Sequence, residues 1–240
     1  MVKRLLVLSA VAGLSFAAVA QAALIMGDAA DVYIQSTSDG TLTLGGQGAG
    51  ADLQVGRGGP LVTSAAVIPF ALPTRAPGFK VSAATFSILE GLSPVTVTTA
   101  TDLYGLGFRT SATVVTSDFY MGTAADVKDA TDATLIKAAF STAGGYYAAS
   151  AVLSDASASL VSYLNAQYDA GAVAGNFVFL RVNPQVFTTA NRLALSCSES
   201  TLNSGANRPT LDITFASVPE PTSLALLGLS AVALLRRRRA

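Results

Sequence analysis

Glycine and proline residues divide the middle of this chain into short runs, and the composition of those runs limits what the chain can fold into. The runs are rich in Val, Ile, Thr, Phe and Tyr, the residues that are enriched in β-strands. In residues 211–215, with the sequence Leu-Asp-Ile-Thr-Phe, apolar and polar side chains alternate. Such alternation is typical of a strand with one buried face. The pattern therefore predicts an all-β protein.

The positions of the glycine and proline residues also give the approximate order of the strands and helices. Two helices are predicted, at residues 132–140 and 155–168, the second because Leu160, Val161 and Leu164 have helical spacing. Many short strands with two short helices in loops predict an antiparallel jelly-roll-type β-sandwich. The predicted strands cover residues 30–36, 41–44, 52–55, 64–70, 81–89, 95–104, 114–121, 146–152, 176–182, 192–196 and 210–215.

The composition excludes several kinds of active site. The sequence contains no histidine and a single cysteine, so it cannot build a Ser-His-Asp triad, an imidazole metal site, a CxxC motif or an intrachain disulfide. The cysteine, Cys197, is predicted to be buried as a small apolar residue. The predicted extracytoplasmic domain, residues 23–217, has nine basic and 14 acidic residues, a net charge of −5. Because its basic residues are scattered, we expect no nucleic-acid partner.

Residues 1–22 are predicted to be a secretory signal peptide. Lys3 and Arg4 precede an apolar run over residues 5–20, and Ala20-Gln21-Ala22 supplies the small residues that signal peptidase requires, with cleavage after Ala22. A membrane anchor is the alternative, although the run is shorter than the roughly 20 residues that a spanning helix needs. Ala23, not cysteine, follows the predicted cleavage site, so a lipid anchor is not expected.

Residues 218–240 form a second membrane-directed segment. Val218-Pro219-Glu220-Pro221 precedes an apolar stretch over residues 224–235 and then four arginines. The prolines prevent a helix from continuing back into the domain, so a short hydrophobic helix is expected to begin near Thr222 or Ser223. The arginines satisfy the positive-inside rule and place the domain outside the cytoplasm. A plain C-terminal membrane anchor is one interpretation of this segment.

The order of Pro-Glu-Pro, short apolar helix and arginine cluster resembles the PEP-CTERM sorting signal of Gram-negative bacteria. The resemblance implies recognition and cleavage by exosortase, a membrane protease-transpeptidase. It also implies anchoring in the inner membrane followed by display at the cell surface or in the extracellular matrix. The residues to which it assigns a role are Pro219, Glu220 and Pro221 for processing and Arg236, Arg237, Arg238 and Arg239 for the membrane-side anchor.

The middle of the chain resembles the DNRLRE domain, a jelly-roll module related to carbohydrate-binding modules. Asp-rich residues 28–34, the Phe/Leu strand at 176–181, Ser198-Glu199-Ser200 and the closing 208–213 carry the resemblance. The sequence keeps the late Glu and Pro but has no Asn-Arg-Leu-Arg-Glu run, and residues 191–193 match it only in part. The resemblance implies a fold more than a function.

Two groups of aspartates could hold calcium, and no cofactor is predicted. Asp126, Asp129 and Asp132 recur every third residue but lack EF-hand spacing, and helix capping explains them without a metal. Asp28 and Asp31 could instead meet Asp212 on the final strand, as in jelly rolls that hold a structural calcium. Both arrangements are hypotheses.

Catalytic and sugar-binding groups are sparse. A glycosidase needs two converging carboxylates, and the domain has only Glu90 and Glu199 as glutamates. Tryptophan, the usual sugar platform, is absent from the sequence. Arg109 and Arg181 are expected to satisfy carboxylates at strand ends. The aromatic residues that could replace tryptophan, but that more often pack in strands, are Tyr33, Phe119, Tyr120, Tyr146 and Tyr147.

These features predict a non-enzymatic, exported surface or matrix protein with a structural or adhesive role and weak carbohydrate contact. The expected partners are signal peptidase, an exosortase-like enzyme, the membrane and exopolysaccharide. Two alternatives stay open: a secreted polysaccharide-acting enzyme, and a membrane-tethered ligand-binding domain that keeps its tail.

Overall fold

A computed structural model describes residues 20–36, 41–45, 52–59, 62–90, 95–96, 100–119, 133–142, 146–147, 151–185, 192–199 and 208–218. Antiparallel sheets form a β-sandwich, as the sequence predicts. The finer assignment to a DNRLRE-like jelly roll stays a prediction. The strands are β1 Gln21–Met26, β2 Val32–Ser36, β3 Leu42–Gly45, β4 Asp52–Gly59, β5 Val62–Ala71, β6 Phe79–Leu89, β7 Val95–Thr96, β8 Thr101–Arg109, β9 Thr134–Ser141, β10 Tyr146–Tyr147, β11 Val152–Asp155, β12 Phe177–Pro184, β13 Arg192–Ser196 and β14 Thr210–Ser217.

The smaller of the two main sheets has the strand order β1-β14-β6-β11. Its middle strand β14 buries Leu211, Ile213 and Phe215, while Asp212 is exposed on the opposite face. This is the alternation that the sequence shows, and it places the apolar set toward the core. The first and last strands of the domain are therefore direct neighbours.

The larger sheet has the order β13-β4-β5-β12-β8-β9, with β2 paired to β5 and β3 paired to β2. Its central strand β5 is buried almost throughout, because both faces of this sheet are covered. One face joins the main core, and a second cluster on the other face contains Phe119 and Phe179. Burial on both faces explains why β5 is a continuous apolar run rather than an alternating one.

Aromatic rings connect the core between the sheets. Phe86 of β6 contacts Phe70 of β5 edge to face, with ring centroids 5.9 Å apart, and stacks on Phe140 of β9 at 5.6 Å. Such pairs add roughly 0.5–1.5 kcal/mol each beyond the burial of their area. An isolated bridge between Glu90, next to β6, and Leu195 of β13 also links the two sheets.

Helix α1, Ala158–Asp169, packs against the core and buries Leu160, Tyr163 and Leu164. Ser157 caps it, because its side chain accepts a hydrogen bond from the amide of Leu160 at 3.3 Å. The helix begins later than the predicted residue 155, since Asp155 belongs to β11.

Two side chains of α1 form hydrogen bonds with main-chain groups at irregular positions in the sheets. Asn165 accepts a hydrogen bond from the amide of Val81 and donates one to its carbonyl, both at 2.9 Å, beside the register shift between β6 and β14. The Tyr163 hydroxyl bonds both backbone groups of Gly107 and donates to the Phe179 carbonyl. Gly105 allows this approach, because a Cβ there would overlap the Tyr163 ring.

Two predicted elements are wrong. The helix at 132–140 is strand β9 where it is described, so the domain has one α-helix in its described part and not two. Ile136 and Phe140 are buried together, and a spacing of four residues places side chains on one face of either a helix or a strand. The sequence pattern therefore could not separate the two.

Within the strand predicted at 114–121, the described residues 114–119 contain a short 3-10 helix, Thr116–Asp118, and no strand. Its cause is local, because the Asp118 carboxylate accepts a hydrogen bond from the amide of Val115 at 2.9 Å and turns the chain back. Of the strand predicted at 146–152, residues 146–147 form β10 and Val152 begins β11, while residues 148–150 lie outside the described residues. Strand β1 was not predicted, and it begins inside the predicted signal peptide.

Replacing Tyr163 with Phe is expected to destabilise the domain by about 1–3 kcal/mol, because the Gly107 and Phe179 backbone groups lose their buried partner. Chemical denaturation followed by circular dichroism measures the change. Tyr33→Phe makes the same substitution at a half-buried ring of β2 that is remote from α1. Equal stabilities of the two variants would contradict the role given to the Tyr163 hydroxyl.

Candidate sorting and processing site

The tail leaves the domain directly from its folded part. The last pairs of β14 are Ala216 with Lys80 and Ser217 with Phe79. One residue later the amide of Val218 donates a hydrogen bond to the Gly78 carbonyl at 2.7 Å. Pro219 follows at once in the sequence. The folded domain thus extends to the residue before the Pro-Glu-Pro segment.

The predicted signal-peptidase site lies at the same end of the smaller sheet. Gln21 pairs with Phe215 and Ala22 with Thr214, so the start of β1 lies beside the end of β14. Ala20 and Ala22 are both exposed. Cleavage after Ala22 would leave Ala23–Met26 paired with β14. In the sequence, β1 follows directly on the apolar run of the predicted signal peptide, and its alternating exposure is visible only in the structure.

The remaining predicted processing residues lie outside the described residues. These are Pro219, Glu220 and Pro221, the helix over residues 224–235, and Arg236, Arg237, Arg238 and Arg239. Among the helices that the structure describes, none is long and apolar enough to cross a membrane.

Next to the exit of the tail lies a small charged cluster. Arg75 donates to the Asp169 carboxylate at 2.8 Å, and its guanidinium lies 4.9 Å from the ring centroid of Tyr168. Lys80 approaches the other Asp169 oxygen at 3.8 Å. The hydrogen bond from Arg75 lowers the pKa of Asp169, and burial raises the pKa of Tyr168 to about 12. Asp169 therefore stays ionised beside two cations.

Comparison with known families identifies the tail. The family model of the PEP-CTERM protein-sorting motif matches residues 217–239. No curated protein matches the chain. The motif implies an exported protein that is processed by an exosortase-like enzyme, anchored in the membrane and then displayed at the surface. The matched segment begins at Ser217, the last residue of β14.

Arg109 and Arg181 have structural contacts around the 3-10 helix. Arg109 binds both carboxylate oxygens of Asp118 and lies 4.4 Å from the Phe179 ring centroid. Its predicted role at a carboxylate is thus confirmed. Arg181 is fully buried, and its Nη1 donates to the main-chain carbonyl of Asp118 at 2.8 Å.

The calcium hypothesis for Asp28, Asp31 and Asp212 is wrong in the described residues, which contain no group of three or more acidic or cysteine side chains able to hold a metal. Asp31 is buried and accepts from the amide and hydroxyl of Ser198 at 2.6 and 3.0 Å. Asp212 is exposed on β14. The alternative ligands Asp126, Asp129 and Asp132 lie outside the described residues.

The candidate sugar platforms are largely covered or not described. Phe119 is buried and Tyr33 is half-buried, with its ring close to Gly45. Cys197 is buried, as predicted. Glu199 is half-buried. Tyr120 and the side chains of Tyr146 and Tyr147 lie outside the description.

Glu90 is a buried carboxyl group at the bridge between the sheets. It is 1% exposed, and its carboxylate oxygens have no hydrogen-bond partner among the described residues. Burial, and secondarily the Asp52 charge, raise its pKa to about 7. The pKa of Asp52 is also raised by burial. Two carboxyl groups therefore lie near the bridge between the sheets. Glu90 is bridged to Leu195, and Asp52 pairs with the next residue, Ser196.

The raised pKa of Glu90 predicts a pH-dependent stability. Between pH 4.5, the ordinary value, and about 7, the unfolded chain releases a proton that the folded chain retains, so the free energy of unfolding falls as pH rises. Glu90→Gln cannot ionise and should remove this decrease, which is at most about 3 kcal/mol.

Urea denaturation at several pH values measures the difference between the two proteins. Asp31, whose pKa burial raises to about 6, contributes a decrease of the same sign to both and cancels in the comparison. Asp212→Asn, at an exposed carboxylate, is the control and should leave the slope unchanged. Parallel profiles for the native protein and Glu90→Gln would contradict the prediction.

Proposed function

We propose that this protein is a non-enzymatic structural or adhesive component of the cell surface or extracellular matrix, with weak contact to exopolysaccharide. The observation that carries the proposal is the junction at Val218: a β-sandwich ends where a sorting motif begins. A signal peptide over residues 1–22 starts export, and the tail holds the domain at the inner membrane until an exosortase-like enzyme acts on Pro219–Pro221.

The junction makes release compatible with a folded product. Cleavage within Pro219–Pro221 removes no residue that pairs with β6, because those pairs end at Ser217. The same register keeps Ala23–Met26 paired after signal-peptide removal. The mature domain therefore loses both targeting segments without losing its fold.

The non-enzymatic assignment is supported by the polar groups of the described core, most of which have internal partners. Arg109 binds Asp118, Asp31 binds Ser198, and Asp155 accepts from Ser157 at 2.7 Å. Glu90 is sealed inside the domain. A side chain that already has buried partners is poorly placed to contact a substrate. Release of reducing ends from exopolysaccharide by the purified domain would overturn this assignment in favour of a polysaccharide-acting enzyme.

Replacing Glu220 with Ala is expected to cause the full-length, signal-cleaved chain to accumulate in the membrane, because it removes the central residue of the processing motif. Intact-mass analysis of membrane and extracellular fractions measures the result. The native protein should give a species that begins at Ala23 and ends within Pro219–Pro221. Asp212→Asn removes an exposed charge from β14 and should be processed normally. A native mature species that keeps Arg236–Arg239 would show a simple anchor instead.

A further inference from the structure

The surface around the exit of the tail combines cations with exposed apolar side chains. We define the tail-exit face by Arg75, Lys80, Val173 and Val218. Val218 binds Gly78, Lys80 pairs with Ala216, and Arg75 shares Asp169 with Lys80. Val173 lies with Arg75 along one groove of about 430 Å³. These contacts place the four residues together beside the last strand.

We propose that the tail-exit face rests on anionic phospholipid headgroups while the tail is still in the membrane. The inference rests on the membrane stage of the proposed function. It adds a lipid contact made by the folded domain, beyond the anchoring by the tail.

The first argument is the reach of the connecting chain. Only residues 219–223 separate Val218 from Leu224, the first residue of the predicted apolar stretch. An extended chain spans at most about 3.6 Å per residue, so Val218 lies within roughly 20 Å of the hydrocarbon core. The headgroup layer occupies about 5–8 Å of that distance. The domain is therefore held close to the lipid surface.

The second argument is orientation. Before signal-peptide cleavage the chain enters β1 at Gln21, which pairs with Phe215. Both membrane-directed segments therefore leave from one end of the smaller sheet. Two attachments at the same end direct the tail-exit face toward the bilayer.

The third argument is charge and apolarity. Two cations, Arg75 and Lys80, surround one carboxylate, Asp169, whereas residues 23–217 carry a net charge of −5. Lys80 has a side chain that is 56% exposed, and Val173 is 60% exposed. An exposed cation is attracted to an anionic bilayer surface within about one Debye length. The cations can contact lipid phosphates, and the exposed valines beside them can contact the apolar region beneath the phosphates.

The test uses the full chain reconstituted into vesicles. A fluorophore is attached at Val173→Cys or at Val152→Cys, a valine of β11 that is 62% exposed, and quenched by a lipid-borne quencher. Cys197 is buried, and the native chain controls for its labelling. With vesicles of phosphatidylglycerol and phosphatidylcholine, quenching at 173 should exceed quenching at 152 at least about threefold. Flotation of the vesicles reports separately whether the tail inserts.

Charge variants decide whether the contact is electrostatic. Lys80→Gln should lower the quenching ratio about two- to fivefold, as should pure phosphatidylcholine or high salt. Arg208→Gln, at an exposed site before β14 and at its other end, is the matched control and should have no effect. Equal quenching at both positions in floating vesicles, or quenching at 173 only with exosortase present, would overturn the lipid contact. Failure to float would overturn the membrane stage and, with it, the proposed function.

Discussion

The backbone pairing of β14 is the interaction on which the rest of the domain depends. This strand lies between β1 and β6, and its buried residues Leu211, Ile213 and Phe215 face the core. The smaller sheet therefore cannot be completed until the last residues before the tail have been exported. Folding of the domain and arrival of the sorting motif outside the cytoplasm are coupled by this topology.

The domain buries several charged or ionisable groups, and their environments differ. Asp118 is neutralised by Arg109, and Asp31 is stabilised by the Ser198 amide and hydroxyl. Glu90 lacks such donors among the described residues and keeps its proton toward neutral pH. Burying a carboxyl group without a partner costs stability. The bridge between Glu90 and Leu195 therefore contains a carboxyl group whose protonation is linked to the stability of the fold.

The sequence predicts the fold class because apolar and polar side chains alternate in residues 211–215, and because glycine and proline residues separate the other short strand-like runs. It fails at β9, since the Ile136 and Phe140 spacing suits both a helix and a strand, and at residues 114–119, where one carboxylate turns the chain. The tail motif can be recognised from the sequence because its residues are consecutive. The pairing of Gln21 with Phe215 cannot be recognised in this way, because it depends on the strand order, which no local pattern encodes.

The position of β14 also determines how the mature domain would bear tension. A C-terminus created within Pro219–Pro221 follows directly on a strand that has a neighbour on each side. A pull along that strand acts parallel to it and must shear the pairs with β1 and β6 together, rather than open them one at a time. A surface component attached through this end would therefore resist extension along its central strand.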